Sequence, residues 1–233
     1  MDEVVEKIED LFSVADLTGE RILVTAGPTQ EAIDPVRFIT NHSSGKMGYA
    51  LTKMARRRGA EVVLITGPTP LPIPRRDIEV VYVQTAEEMR KAVFTHLERC
   101  SIVIKAAAVS DYRPEQQADQ KIKKTSQKLT LSLVPNPDIL RQLGRLKQGQ
   151  FLVGFSAETE HLLQNAEKKL KEKNLDLMVA NPIGVPGAGF GSETNRVHFL
   201  YPGGRKEPLP LMSKEEVAYQ IFDRILQLKR EGR

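Results

Sequence analysis

The residues best equipped for chemistry are concentrated between Ile22 and Gly48, in the segment ILVTAGPTQEAIDPVRFITNHSSGKMG. It begins as a buried strand, breaks at Ala26-Gly27-Pro28, and closes with Ser43-Ser44-Gly45-Lys46-Met47-Gly48, where a helical pattern starts. Between the two lie Thr29, Glu31, Asp34, Arg37 and Asn41, a dense set of donors, acceptors and charges. Unpaired N–H groups at a helix start, beside two hydroxyls and a lysine, suit an anion such as phosphate. The connection is about twenty residues long, against ~2–6 for an ordinary strand-to-helix loop, and long loops inside compact domains are usually functional. The spacing matches neither GxGxxG nor GxxxxGKS/T, because Lys46 is followed by Met47. A phosphate cradle and a structural loop both remain open on spacing alone.

Further groups could join this loop. Ala106-Ala107-Ala108-Val109-Ser110-Asp111 follows an apolar run. Small residues there admit either a ligand or tight packing, and Asp111 can bind or cap a turn. Lys121-Ile122-Lys123-Lys124 is either a phosphate contact or a solvated flank. Pro137, Asp138, Ile139 and Leu140 open a short helix whose free N–H groups could meet a phosphate or the acceptor edge of a base. Phe155 could stack on a base or sit in the core. Lys169 and Lys173, four apart on a helix, share one face, either exposed or turned to a ligand.

Positioning these groups requires a particular order of elements. Apolar periodicity predicts a helix over 2–13, strands over 21–26, 62–65, 80–83 and 102–105, and helices over 46–58 and 86–99. Further strands are expected at 151–155, 177–179 and 197–200, with helices after Asn136, up to Asn174 (capped by Thr159 or Ser156), and after Ser213. Thr85 with Glu88, and Ser213 with Glu216, have capping-box spacing. The alternation indicates an α/β fold: a Rossmann-like open, mostly parallel sheet covered by helices on both faces. Ligands in such sheets bind beyond the carboxyl ends of the strands. The loops 26–45, 67–77 and 106–114 are therefore candidates for one shared site. The segment 121–134 breaks the alternation. Leu129, Leu131 and Leu133 read as a half-buried strand in an arm outside the main sheet, suited to dimerisation. Residues 1–18 form an N-terminal helix and linker, and 19–233 one domain.

The 233 residues carry 27% charged and 40% hydrophobic side chains, enough for a domain with a sizeable core. The net charge of +4 is interspersed along the chain, and there is no Trp. That argues against a nucleic-acid stripe and for a small anionic substrate. No apolar run reaches the ~18 residues of a membrane span, and the acidic N-terminus is unlike a signal peptide; a cytoplasmic protein is expected. The single Cys100 excludes an internal disulfide and a Cys-based zinc motif. His42, His96, His161 and His198 are scattered, so no histidine metal cluster is expected.

Four blocks, AGPTQEAIDPVRFITNHSSGKMG, AAAVSDYRP followed by KIKK, NPDIL, and VGFSAET with KKLKEKNLDLMVAN, stand in one order. In that order they resemble phosphopantothenate–cysteine ligase (phosphopantothenoylcysteine synthetase) of the bacterial type, over residues 19 to 228. The resemblance implies an acid–amino-acid ligase of coenzyme A biosynthesis. Such an enzyme joins the carboxylate of 4'-phosphopantothenate to the amine of L-cysteine. It uses CTP as co-substrate with Mg2+, and passes through an acyl-cytidylate with release of pyrophosphate and then CMP. It also implies a homodimer, and fusion to or association with a flavin-dependent phosphopantothenoylcysteine decarboxylase. On matching positions it implies catalytic roles for Asn41, Arg37 and Lys121. Contacts to the intermediate are implied for Asn41, Ser43, Ser44, Gly45, Ala107 and Ala108. Contacts to CTP are implied for Ala107, Asp111, Lys121, Pro137, Asp138, Ile139, Leu140, Phe155, Lys169 and Lys173. No metal ligand is assigned. Carboxylate activation of this kind needs cations and positioning but no protein nucleophile, which suits a chain without a Ser-His-Asp set. An NAD(P)-dependent reductase of Rossmann-like fold is disfavoured by the missing GxGxxG and by the lack of an acid closing the second strand at Ile65-Thr66-Gly67. A non-catalytic nucleotide-binding relative is disfavoured by the intact Asn41, Asp111 and Lys121.

Overall fold

The computed structural model describes residues 13–75, 77–124, 128–185, 187 and 189–232. All but the last residue of the helix expected over 2–13 lies outside them. The chain runs β1 (Arg21–Ala26), β2 (Gln30–Ala32), β3 (Phe38–Thr40), α1 (Lys46–Arg57), β4 (Glu61–Thr66), β5 (Glu79–Tyr82), α2 (Ala86–Leu97) and β6 (Ile102–Lys105). It continues with β7 (Tyr112–Pro114), β8 (Leu133–Pro135), α3 (Ile139–Leu146), β9 (Phe151–Glu158), α4 (Leu162–Glu172) and β10 (Leu177–Pro182). The last elements are β11 (Thr194–Asn195), β12 (His198–Leu200), β13 (Lys206–Pro208), β14 (Met212–Ser213) and α5 (Lys214–Arg230).

Near-continuous apolar runs make β1, β4, β6, β9 and β10 strands buried on both faces, the usual state of a helix-covered parallel sheet. The sheet order is β13-β12-β10-β9-β6-β1-β4-β5. Pairing is parallel from β10 through β5 and antiparallel where β12 joins β10 and β13. Alternate residues of each strand feed two cores. Ile22, Val24, Ile104, Val153 and Val179 pack with α1 and α5. Leu23, Val63, Val103, Leu152 and Met178 pack with α2, α3 and α4. From β1 the chain first winds outward to β4 and β5, then returns to place β6 on β1's other side. That reversal opens a crevice beyond the ends of β1 and β6.

Two glycines let the first loop pass through this crowded edge. A Cβ on Gly48, in the first turn of α1, would lie 2.5 Å from the Ala26 Cβ, so glycine allows the helix to start directly against the end of β1. A Cβ on Gly67 would lie 1.7 Å from the Pro28 carbonyl oxygen. Both capping boxes form, Thr85 with Glu88 and Ser213 with Glu216.

The structure departs from the sequence reading at several points. The long first loop contains a small hairpin, β2 with β3. Helix α4 starts after His161, which has φ 50° and gives no side-chain cap. Thr159 and Ser156 are not its caps; Ser156 lies within β9 and donates to Glu158 at 2.8 Å. The arm leucines are exposed, Leu129 at 58%, Leu131 at 37% and Leu133 at 45%. Among the described residues of the arm only 133–135 form a strand, paired antiparallel to β7. An alternating pattern buries one face only when something covers it, and nothing among the described residues does. Leu17, in the expected linker, is fully buried, and its N–H donates to Arg58 O at 2.9 Å.

Gly67→Ala drives a carbon into a backbone carbonyl and should cost about 2–4 kcal/mol. Gly191→Ala, where nothing lies within 4 Å, should stay within about 0.5 kcal/mol. Thermal unfolding of the two variants checks this; equal melting temperatures would contradict the role given to Gly67.

Candidate active site

Beyond the carboxyl ends of β1, β6, β9 and β10 lies a cavity of about 290 Å³. Its wall is built by carrying the β1–β6 pairing past the strands. Pro28 bridges Ala108. Thr29 N donates to Ala108 O at 3.2 Å, and Ala108 N donates to Gly27 O at 3.0 Å. Buried hydroxyls close the remaining valences: Ala107 N donates to Thr25 Oγ1 at 3.2 Å, and Ser110 N to Thr29 Oγ1 at 3.0 Å. Glu31, also buried, accepts from Ala86 N at 2.9 Å and ties the loop to α2.

Most of the predicted site residues converge here. Ser43, Ser44, Gly45 and also Lys46 arrive at the start of α1. Ala107, Ala108 and Asp111 arrive after β6, and Pro137, Asp138, Ile139 and Leu140 at the start of α3. Phe155 comes from β9, Lys169 from α4, and Lys173 from just past its end. The side chains of Ile139 and Leu140 are buried in the core, so only their main chain is free to serve a ligand. Asp138 caps α3 by accepting from Arg141 N at 3.0 Å.

Three predicted catalytic residues do not line the cavity. Arg37 ion-pairs with Asp34 and donates to Ile122 O at 2.8 Å. Asp34 is buried and also accepts from Val36 N at 2.8 Å and Ile122 N at 3.1 Å. The Arg37 guanidinium first, and these N–H groups after it, hold the Asp34 carboxyl well below the usual carboxylate range despite burial. In this chain Arg37 is thus engaged in fastening the hairpin to the segment at Ile122. Lys121 is exposed on that same segment. Asn41 stands just behind the cavity wall; its Nδ2 donates to Ala108 O at 2.9 Å and Ser110 Oγ at 3.4 Å. The loop 67–77 also stays out of the cavity. It buttresses the first loop from behind, Thr69 Oγ1 donating to Ser44 O at 3.0 Å.

Several lining residues were missed: Lys105, Asn136, Met178, Asn181, Phe190, Asn195 and Lys214. The signals were faint: a lysine closing an apolar strand, an Asn-Pro pair after another, one aromatic in a glycine-rich loop, and a lysine beside a helix cap. Lys169 donates to Glu158 and to Ser156, the latter at 3.3 Å. Lys173 pairs with Asp138 at 3.0 Å. Lys105 donates only to Ala107 O, at 3.5 Å, and meets no carboxylate within 4.0 Å among the described residues. Burial first, and then the Lys173 charge, push its ammonium down to about 8, against the pull of Asp138 and Asp111. Among the described residues, no three His, Cys, Asp or Glu converge as a metal site, and no helix is long and apolar enough to cross a membrane.

An open α/β sheet with a polar, cation-rich cavity at its switch point has the form suited to a small anionic ligand. Residues 17–228 match the model of the DNA/pantothenate metabolism flavoprotein C-terminal domain, and the chain belongs to that family. It is 48% identical, over 217 residues, to the Coenzyme A biosynthesis bifunctional protein CoaBC of Bacillus subtilis (strain 168). That match covers 93% of this chain and 53% of the relative, so the chain spans about half the relative's length. A protein of an unknown prokaryotic organism, named Cysteine/Cysteine sulfinic acid decarboxylase, is 44% identical over 97% of this chain and 65% of its own length. Among solved structures, the C-terminal domain of a CoaBC protein superposes with TM-score 0.79 at 42% identity, covering 93% of this chain and 99% of that one.

Lys105 yields a pH-dependent prediction. Its folded value of about 8 lies below the ~10.4 of an unfolded lysine, so the unfolded state binds more protons between the two. Stability should therefore rise with pH across that window. Lys105→Met should stabilise the protein by about 1–3 kcal/mol at pH 7, and the gain should fade as pH rises from 8 to 10. Urea unfolding at the two ends of the range checks the sign; a gain that grows with pH would contradict it.

Proposed function

We propose that this cavity is the active site of a CTP-dependent phosphopantothenate–cysteine ligase acting in coenzyme A biosynthesis. The observation that carries the reading is the convergence of five separate segments (Ser43–Gly45, Ala107–Asp111, Pro137–Leu140, Phe155, and Lys169 with Lys173) on one cavity. The name of the Bacillus subtilis relative supports the same pathway.

A carboxylate acylates poorly because it is an anion with a bad leaving group. In the proposed first half, a carboxylate oxygen of 4'-phosphopantothenate attacks the α-phosphorus of CTP, and the bond to the β-phosphate breaks, releasing pyrophosphate. In the second, the cysteine amine attacks the acyl carbon of the acyl-cytidylate. The C–O bond to the nucleotide breaks, CMP leaves, and the amine loses a proton. Both steps bring anions together, so catalysis rests on positioning and on cations and N–H donors aimed at phosphate. Helix α1 is suited to this: no acid lies in its first turn, and no side chain caps its N-terminus. Phe155 offers a face for the base, and the start of α3 offers main-chain donors.

Mg2+ would be held chiefly by phosphate oxygens, screening their charge, with Asp111 as the protein oxygen. Asp111 lines the cavity and is exposed, so its carboxylate is open to an ion that would enter with the nucleotide. Asn41, hydrogen-bonded to Ala108 O and Ser110 Oγ, would support the acyl intermediate through the wall segment it holds. Lys121 would reach the triphosphate only if its arm, or that of a second copy, folded over the cavity. Val36 and Phe38 on the hairpin, and Tyr112, Leu131 and Leu133 on the ribbon beside it, are exposed. Such a patch suits a homodimer. A flavin-dependent decarboxylase is the fitting fused or associated partner, because its substrate is the ligase product.

Pyrophosphate release with phosphopantothenate present should be much faster with CTP than with ATP. Equal efficiency with the two triphosphates would sink the CTP assignment, and no release with either would sink the ligase reading. Light scattering at assay concentration should give a dimer; an active monomer would refute the assembly.

A further inference from the structure

Asp34 lies outside the cavity, in the turn between β2 and β3, and is only 2% exposed. A buried carboxylate must find donors for both oxygens, and here the two serve different parts of the chain. Oδ1 is local: it accepts from Val36 N at 2.8 Å and Arg37 N at 2.9 Å, which shapes the turn. Oδ2 reaches further. It accepts from Arg37 Nε at 3.0 Å, from Arg37 Nη2, and from Ile122 N at 3.1 Å, 88 residues on. Arg37 Nη2 donates in turn to Ile122 O at 2.8 Å. The ion pair thus offers an acceptor and a donor side by side, as a strand edge does, and both main-chain groups of Ile122 dock on it.

A second tether lies earlier on the same segment, where Ala118 N donates to Ile33 O at 2.9 Å. No helix or strand holds the described residues between β7 and β8. Among the described residues, these are the hydrogen bonds that tie 118–122 to the rest of the chain. Lys121 stands between the two tethers and is exposed. An ordinary turn aspartate accounts for Oδ1 and leaves Oδ2 unexplained. A buried ion pair is weak evidence for stability, and its best-attested use is to fix a register.

We propose that Asp34 is a positioning residue of the ligase: through Arg37 and Ile122 it fixes the main chain that carries Lys121, so that this ammonium meets the nucleotide from a set origin. The proposal rests on the ligase reading, which gives Lys121 to CTP, and it holds whether the cavity served belongs to this chain or to a second copy. A lysine loses side-chain freedom whenever its ammonium is held, and on a loose segment it would lose main-chain freedom as well. The tethers remove that second loss before the nucleotide arrives. Asp34 thereby raises the rate of the first half-reaction without touching a reactant.

Asp34→Asn separates the work of the two oxygens, because an amide oxygen can keep the turn while the NH2 cannot accept from Arg37 or Ile122. Read as pyrophosphate release, kcat/KM for CTP should fall ~10–100-fold in Lys121→Ala and ~5–20-fold in Asp34→Asn. In the Lys121→Ala background, Asp34→Asn should cost less than about twofold, since it acts through that lysine. Ala118→Pro removes the N–H of the other tether and leaves the ion pair alone. It should show the same non-additivity, and it carries the comparison should Asp34→Asn fail to fold; thermal unfolding verifies each variant. Apart from activity, trypsin should cut the arm between Lys121 and Lys128 at least ~5-fold faster in Asp34→Asn than in the unmutated chain. Unchanged kcat/KM, unchanged cleavage, or a fully additive loss in the double variant would each overturn the proposal. If cleavage responds but the unmutated chain releases no pyrophosphate from CTP with phosphopantothenate, the ligase reading fails and the positioning role with it, while the tether itself stands.

Discussion

Main chain that leaves a parallel sheet at its buried edge must still find partners for every N–H and carbonyl, and here that requirement shapes the site. The β1–β6 pairing continues through Gly27, Pro28 and Thr29 against Ala107 and Ala108. Thr25 and Thr29 supply the hydroxyls that finish it. Once that continuation is fixed, the small-residue run after β6 is rigid and Asn41 has a carbonyl to hold. The first loop can then be routed over Gly67 to the start of α1. Glu31 and Asp34, both buried, extend the same logic outward by satisfying the N–H groups of Ala86 and Ile122.

Charge is distributed by a similar economy. Lys169 and Lys173 are each bonded to a carboxylate, so their end of the cavity is nearly balanced. Lys105 and Lys214 are not so paired and sit well below an ordinary lysine. Holding such groups costs stability, a familiar feature of sites whose ligand supplies the missing charge.

How far this could be read from the sequence depends on the range of the interactions. The capping boxes at Thr85 and Ser213 are local and were legible, as were the buried runs of β1, β4 and β6. The loop residues Ser43, Ser44 and Gly45 were legible because a helix start follows them directly. Arg37 reads from the sequence as a ligand contact, while in the structure it pairs with Asp34, three residues earlier, where the hairpin folds back. The hairpin itself was not anticipated, because each of its strands is only three residues long. Lys214 was invisible because its burial depends on the glycine-rich segment at 189–192, which periodicity cannot place. The arm leucines show alternation without burial, a pattern that identifies a face but not what covers it.

In the proposed ligase reaction the carboxylate is activated by bonding to the α-phosphorus of the nucleotide, with no protein nucleophile. It is tested most directly by following oxygen. Phosphopantothenate labelled with 18O in both carboxylate oxygens should, in one turnover with CTP and cysteine, deliver one labelled oxygen to the phosphate of CMP. The other should remain in the new amide. Mass spectrometry of the released nucleotide reads the result. Label found instead in inorganic phosphate or pyrophosphate, or retained wholly outside CMP, would contradict the account.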